Sequence, residues 1–237
     1  KRETINISQN ALVSGFDSEV DAFDLVTKTG VELERAHERV VSGMSRDITY
    51  FSMKVLEQHA AVKETGVLGI KTGIAELDRT ICGLVSPDLI VIAARPGQGK
   101  TALALSITHN TSVLRDVPCA WFSLEMDGVQ LVRRLACIHS GLDHERVRNG
   151  HTTEAEDMKL HNSIAKIATK KIFIEDKTSA NIRDIKTRAT VLKRKEGIGY
   201  IVVDYLQLMD GVDTKGKSRN DIVSDISRGL KCLAKDL

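Results

Sequence analysis

A glycine-rich loop holds the residues of this sequence best suited to bind phosphate, between an apolar run and an alanine- and leucine-rich segment. Its glycines let backbone N–H groups turn inward, toward a polyphosphate at the positive end of the next helix. Lys100 supplies a charge for β- and γ-phosphates, and Thr101 a hydroxyl for Mg²⁺. The predicted nucleotide-binding residues of this loop are Arg95, Pro96, Gly97, Gln98, Gly99, Lys100, Thr101 and Ala102. Ala94 stands where the usual phosphate-loop pattern begins with glycine.

Two carboxylates each follow an apolar run, and both suit the hydrolysis of ATP. Glu125 follows residues 119–124, about one strand–helix–strand unit after the loop. A carboxylate there can position and polarise the attacking water, although Glu125 could instead cap the next helix. Asp204 follows residues 200–203, where a carboxylate can bind Mg²⁺ directly or through water. Together with the loop, these residues predict a site that binds ATP or ADP with Mg²⁺ and hydrolyses ATP.

Alternating strands and helices are needed to bring these groups together. The apolar runs predict strands at 89–93, 119–124, 171–175 and 200–204. Helical spacing and capping residues predict helices at 100–114, 127–141, 154–169, 181–196 and 219–237. This order indicates an α/β fold with a parallel sheet and right-handed crossovers. In such a sheet, ligands bind beyond the carboxyl ends of the strands.

The first 64 residues differ in pattern from the rest. Residues 1–15 are polar and irregular, which favours a flexible lead-in. Two amphipathic helices are then predicted, one from Asp17 to about Val41 and one after Ser45. These helices could pack within the chain, or the first could dock on another subunit. A glycine-rich connector over 65–73 places the predicted domain boundary near Glu64.

The composition of the 237 residues excludes several classes of protein. A net charge of +2 gives no support to a strongly basic coat for nucleic acid, but it does not exclude DNA-binding loops. The four cysteines form no C-x-x-C pair, which favours reduced thiols in a cytoplasmic protein. Neither a membrane span nor a signal peptide is indicated. Because the sequence begins with Lys1 rather than methionine, we expect a piece of a longer protein.

Three motifs carry a resemblance to a known family. Ala94-Arg-Pro-Gly-Gln-Gly-Lys-Thr101, Phe122-Ser-Leu-Glu-Met126 and Asp204-Tyr-Leu-Gln-Leu-Met209 resemble the phosphate loop, catalytic glutamate motif and Walker B motif of the DnaB-type replicative helicases. Upstream, Thr72-Gly73 with Leu77-Asp78 and Ser86-Pro-Asp-Leu-Ile90 are similar to the same family. The resemblance covers residues from about 65 to 237, and the preceding helices resemble the linker region of the family.

The resemblance implies a RecA-like ATPase core in a homo-hexameric ring that translocates 5′ to 3′ on single-stranded DNA and unwinds forked DNA. It assigns phosphate contact to Lys100, Mg²⁺ to Thr101 and Asp204, and the attacking water to Glu125. Arg134 would lie close to the nucleotide, although it could be a solvated arginine. Gln207 would sense the γ-phosphate, or serve as a structural amide. The helix from Asp17 would pack on the neighbouring subunit, and a primase and a helicase loader are the expected partners.

Four points remain open at the level of sequence. The family continues beyond the position of Leu237 with a sensor strand, DNA-contacting loops and a basic finger, so we expect little ATPase activity from residues 1–237 alone. A RecA/RadA-like recombinase, or a nucleotide-binding module that interacts with a helicase, is the alternative function. The basic residues between Arg183 and Lys195 favour a solvated helix over a DNA contact. The loop from Gly211 to Ser218 could face the channel of a ring.

Overall fold

The computed structural model describes residues 2–16, 25–27, 29–33, 47–176, 180–205, 209 and 218–237. Its elements are α1 (Arg2–Gly15), α2 (Ile48–Thr65), α3 (Ala75–Ile81), α4 (Lys100–Thr108), β1 (Cys119–Ser123), α5 (Gly128–Ser140), α6 (His144–Arg148), α7 (Glu154–Ala168), β2 (Ile172–Glu175), α8 (Ile182–Glu196), β3 (Tyr200–Asp204) and α9 (Arg219–Asp236). Residues 25–27 and 29–33 are also helical, and a π-helical turn, His109–Val113, extends α4. The chain divides into two compact units, Lys1–Gln58 and His59–Leu237.

The flexible lead-in expected over residues 1–15 is instead α1. Ile7 is buried in it, and no proline interrupts the segment, so a single buried apolar side chain outweighs a polar composition. The helix predicted from Asp17 to Val41 lies largely outside the described residues. The domain boundary near Glu64 stays a prediction.

The second amphipathic helix is confirmed as α2. The Asp47 carboxylate accepts a hydrogen bond from the Tyr50 amide at its start, at 3.0 Å. None of the residues of α2 is buried, and Ile48, Phe51 and Val55 on its apolar face are 78%, 52% and 63% exposed. Within the described residues, the apolar face of α2 therefore has no intramolecular cover.

The predicted parallel sheet is confirmed, with strand order β2-β1-β3. Cys119 pairs with Ile172 on one side and with Tyr200 on the other, and the β1–β3 register ends at Ser123 opposite Asp204. All five residues of β1 are buried, as expected for a central parallel strand. The carboxyl ends of β1 and β3 therefore lie side by side, where the candidate carboxylates were expected.

Helices cover both faces of the sheet. The side chains of β1 point alternately to the two faces and pack against both helix layers. Cys119 and Trp121 pack with α4, α5 and α7 in one core cluster. Ala120 and Phe122 pack with α8 and α9 in a second cluster. This arrangement gives a three-layer α/β/α core.

Hydrogen bonds fix α4 and its π-helical turn to the sheet. The indole nitrogen of Trp121, only 1% exposed, donates to the Thr108 hydroxyl at 3.0 Å. The Tyr200 hydroxyl lies 2.6 Å from that of Thr111 and 2.9 Å from that of Ser112. Burial raises the pKa of the Tyr200 phenol, so the group stays a neutral hydrogen-bonding partner. The helix that begins at the phosphate loop is thus anchored at its far end.

The strand predicted at residues 89–93 is wrong, because these residues join no ladder of the described sheet. Ile90, Val91 and Ile92 are 44%, 60% and 40% exposed. A β-branched run becomes a strand only where a neighbouring strand pairs with it and buries its faces. Leu89 does pack against the second cluster, and Lys231 on α9 donates to the Pro87 carbonyl at 2.7 Å.

Side-chain caps set the helix ends close to the predicted positions. The starts of α5, α7, α8 and α9 are capped by Asp127, Thr153, Asn181 and Ser218. Gly141 and Gly197 end α5 and α8 with φ of +70° and +67°, in the left-handed region that favours glycine.

One carboxylate organises the connector before the phosphate loop. Asp78 on α3 accepts from the amide and the hydroxyl of Thr72, both at 2.7 Å, and from the Gly73 amide at 3.1 Å. Thr72 is fully buried, and its carbonyl accepts from the Asn110 amide group at 3.1 Å. The Thr-Gly and Leu-Asp pairs noted in the sequence are thus one hydrogen-bonded unit that contacts the end of the α4 helix.

Replacing Asp78 by alanine is expected to lower the free energy of local opening at Thr72 by about 2 kcal/mol, because three donors lose a charged acceptor. Amide hydrogen exchange over residues 68–76 of the intact protein should then be about 30-fold faster. Glu76→Ala is the matched control, since Glu76 on the same helix is 81% exposed and pairs with the equally exposed Arg79. Equal exchange in the two variants would contradict the role of Asp78.

Candidate functional site

The phosphate loop leads into α4 with its backbone open to a ligand. Residues 94–99 are exposed, and Gly97 and Gly99 have φ of +76° and +85°. Gly99 is the N-cap of α4, so the loop ends at the positive end of a helix dipole. Backbone N–H groups in this conformation suit an anion, as the glycine spacing predicted.

Lys100 reaches back across the loop. Its ammonium donates to the Ala94 carbonyl at 3.3 Å and lies 5.5 Å from the centre of the Tyr205 ring. The charge therefore sits inside the turn, with an aromatic face beside it. A phosphate in the loop would meet this ammonium together with the loop amides.

Thr101 and Asp204 meet although 103 residues separate them in sequence. The Thr101 hydroxyl donates to the Asp204 carboxylate at 2.7 Å, which joins the start of α4 to the end of β3. Asp204 is only 7% exposed. A hydroxyl oxygen beside a carboxylate oxygen is a hard donor set, so these residues fit Mg²⁺.

Glu125 lies beside this pair, at the end of the neighbouring strand. The Leu124 amide donates to the Asp204 carbonyl at 2.8 Å, which holds the two strand ends together. The Ser123 hydroxyl donates to the Met126 carbonyl at 2.6 Å and shapes the turn that carries Glu125. Asp127 rather than Glu125 caps α5, and Glu125 is exposed. Its carboxylate is thus free of the capping role considered from sequence.

Within the described residues, no contact joins Arg134 to the phosphate loop. Arg134 is half-buried on α5, and its charge lowers the pKa of His144, after the larger effect of burial. Gln207 lies outside the described residues, as do residues 211–217 of the loop predicted to face a channel. The nucleotide contacts expected of Arg134 and Gln207 stay predictions.

Two residues of the site were missed from sequence. Tyr205 faces Lys100, and Ser123 shapes the turn before Glu125. Tyr205 follows Asp204 in the sequence, and Ser123 lies two residues before Glu125. Proximity to these two predicted residues was the available signal. Neither role follows from residue type alone.

The structure gives little support to a metal cluster, a basic DNA-contacting surface on α8 or a membrane span within the described residues. Among the described residues, no group of three or more His, Cys, Asp or Glu side chains could hold a metal ion. On α8, Lys186 pairs with Asp236 and Arg188 with Glu175. Part of the basic run therefore has intramolecular partners. No helix in the described ranges has the length and apolar character required to cross a bilayer.

Comparison with known proteins gives one family and several relatives. The family described as DnaB-like helicase C terminal domain matches residues 69–237. The chain is 34% identical over 242 residues to the replicative DNA helicase DnaB of Geobacillus stearothermophilus, and 33% identical over 242 residues to the replicative DNA helicase DnaC of Bacillus subtilis (strain 168). Both alignments cover 100% of this chain and 52% of the relative. The chain thus spans about half the length of these curated relatives.

Two solved structures are similar in fold. One is described as an ATPase domain, with a TM-score of 0.74 and 30% identity, over 81% of this chain and 68% of that chain. The other is described as a DnaB-like replicative helicase and its interactions with primase, with a TM-score of 0.74 and 27% identity, over 99% of this chain and 54% of that chain. The expected RecA-like fold is confirmed.

Proposed function

Because the chain belongs to the DnaB-like helicase family, matching its C-terminal domain, we propose that the intact protein is an ATP-dependent replicative DNA helicase. The observation that carries the proposal is the 2.7 Å hydrogen bond between Thr101 and Asp204, with Glu125 on the adjacent strand end. The proposal assigns to the phosphate loop, Asp204 and Glu125 the three roles that phosphoryl transfer to water requires: a phosphate cradle, a metal-binding carboxylate and a general base.

In this site the loop from Arg95 to Ala102 binds the phosphates of ATP through its backbone amides. The Lys100 ammonium leaves the Ala94 carbonyl and meets the β- and γ-phosphates. Thr101 and Asp204 hold Mg²⁺, which when bound neutralises charge on the phosphates. Ser123 keeps the turn in place for Glu125.

Glu125 orients the attacking water and accepts its proton; the β1–β3 register, which ends at Ser123 opposite Asp204, supports this role. Arg134 and Gln207 contribute nucleotide contacts that respond to the γ-phosphate. Hydrolysis is coupled to movement along single-stranded DNA in a homo-hexameric ring. The helix expected from Asp17 to Val41 packs on the neighbouring subunit of that ring.

The proposal extends to partners and location. A primase and a helicase loader bind the intact protein; the interaction with primase described for one similar helicase structure supports the first. The protein acts in the cytoplasm, and its four free cysteines suit a reducing compartment.

The proposed function is tested on a forked DNA duplex with the intact protein. We expect strand separation with ATP when the fork carries a 5′ single-stranded tail, and none with a non-hydrolysable ATP analogue. A duplex with only a 3′ single-stranded tail is the control for the direction of translocation. A protein that binds ATP but separates neither fork would contradict the helicase proposal and favour a nucleotide-binding module. Particle mass with nucleotide distinguishes a closed hexamer from the filament of a recombinase.

A further inference from the structure

A shallow, open pocket lies between the carboxyl end of α5 and the face of α7, with a volume of about 260 Å³. It is lined by His139, Ser140, Lys159, Asn162, Ser163 and Lys166. Because a water molecule takes up about 30 Å³ in the liquid, this space admits a five-atom phosphate group with water around it. Lys159, Asn162 and Lys166 can donate hydrogen bonds to a ligand, whereas the Ser140 and Ser163 hydroxyls already donate to the Ala136 carbonyl.

These three donors share one face of α7 and have no partner among the residues that the structure describes. Lys159, Asn162 and Lys166 follow helical spacing, and none makes a side-chain hydrogen bond or ion pair to the residues that the structure describes. The acidic side chains nearby are engaged elsewhere: Glu156 pairs with Arg146, and Asp116 pairs with Lys170. The two lysine charges at the pocket are therefore not neutralised by the protein.

A hydrogen-bonded chain fixes the ring of His139 at the pocket. The Asn110 amide oxygen lies 3.3 Å from His109 Nδ1, and the same amide group donates to the Thr72 carbonyl. An amide oxygen only accepts, so His109 carries its proton on Nδ1 and its Nε2 accepts from His139 Nδ1 at 3.0 Å. His139 Nε2 then has no partner within the described part of the chain. Protonating Nε2 of His139 adds a donor without breaking the hydrogen bonds that join Asn110, His109 and His139.

The charged side chains that shift the pKa of His139 are positive, although Asp116 pairs with one of them, Lys170. Burial lowers the pKa of His139, and the neighbouring His109, Lys166 and Lys170 lower it further. Burial and Lys166 also lower the pKa of His109, although its hydrogen bond to Asn110 opposes this. An anion in the pocket would reverse these effects by supplying the missing negative charge.

The pocket is separate from the nucleotide site. α5 starts at the carboxyl edge of the sheet near Glu125, and Ser140 lies about 18 Å further along this helix. His109 lies about 14 Å along α4 from Lys100. The pocket therefore lies toward the opposite edge of the sheet from the phosphate loop.

We propose that this pocket is a second phosphate-binding site, in which Lys159, Lys166 and His139 hold a phosphate group with the help of Asn162. Its source is either the backbone of a nucleic acid strand or a free phosphate compound. None of its residues belongs to the phosphate loop, so it is a site other than the nucleotide site.

Sulfate binding to the intact protein tests the site, with the phosphate loop filled by a non-hydrolysable ATP analogue. We expect Lys159→Gln/Lys166→Gln to weaken sulfate binding in calorimetry by about tenfold or more, since two charge-assisted bonds are lost. The matched control is Lys195→Gln/Lys235→Gln, which removes two exposed lysines of α8 and α9. Wild-type affinity in the pocket variant would overturn the proposal. Asn162→Asp, on the exposed face of α7, is a second variant that should abolish binding without removing a lysine.

Two further experiments identify the source of the bound phosphate and the role of His139. If the phosphate belongs to a strand, the pocket variant should reduce the salt dependence of oligodeoxythymidylate binding by a slope of about 1 or more. If only sulfate binding changes, the source is a free phosphate compound. Sulfate keeps its charge between pH 7.5 and 5.5, so tighter binding at low pH reports protonation of the protein. This dependence should be lost in His139→Gln; equal dependence in wild type and variant would overturn the proposed site.

Discussion

Replacing Lys100 by alanine is expected to lower the rate of ATP hydrolysis by the intact protein at least about 100-fold, which corresponds to about 2.7 kcal/mol of transition-state stabilisation. The ammonium lies inside the loop, 3.3 Å from the Ala94 carbonyl. Both nucleotide affinity and turnover should fall, because Lys100 meets the phosphates before and during the reaction. Phosphate release at saturating ATP and nucleotide binding by calorimetry measure the two effects.

Two variants control this result. Lys100→Arg keeps the charge but changes its shape and reach, and should still lose most of the activity. Lys195→Ala removes an exposed lysine of α8 and should leave the rate within about twofold. Activity of Lys100→Ala within about threefold of wild type would contradict the role of the loop.

Replacing Glu125 by glutamine is expected to lower hydrolysis by about 100-fold to 1,000-fold while nucleotide affinity changes less than about threefold. Glu125 is exposed, is not the cap of α5, and in the described structure has no bond to the phosphate loop. It therefore contributes to the reaction of the water rather than to holding ATP. Single-turnover hydrolysis and equilibrium binding separate the two effects.

The contrast between the two variants is the sharper test. Lys100→Ala should lose binding and hydrolysis together, whereas Glu125→Gln should lose hydrolysis alone. Glu145→Gln, at an exposed position of α6, is a control of the same chemical change. Parallel losses of affinity and rate in Glu125→Gln would make Glu125 a binding residue instead of a base.

Local sequence patterns predicted most of the elements of the α/β core. The parallel strands and capped helices were recognisable because each signal lies within a few residues, as Asp127 and Gly141 do for α5. The approach of Thr101 to Asp204 was expected because both were predicted to follow parallel strands, which carry their carboxyl ends to one edge. The contact is present although residues 89–93 do not pair in the described sheet, so the rule of topology explains the position of Asp204 but not that of Thr101.

The errors have a common cause in packing between distant segments. Residues 89–93 have the composition of a strand, but pairing depends on a neighbour that composition does not reveal. The helix α1 depends on the burial of Ile7 rather than on average polarity. The contact between His109 and His139 joins the far ends of two helices, and no local pattern specifies which helix ends meet.

The single tryptophan of the chain gives an optical consequence. Trp121 is buried on the central strand, and its indole donates to Thr108 on the helix that starts at the phosphate loop. Tryptophan emission depends on the polarity around the ring, so any shift of this helix that admits water would displace the emission to longer wavelength. The position of α4 against the sheet can therefore be followed in solution by intrinsic fluorescence, with no attached dye.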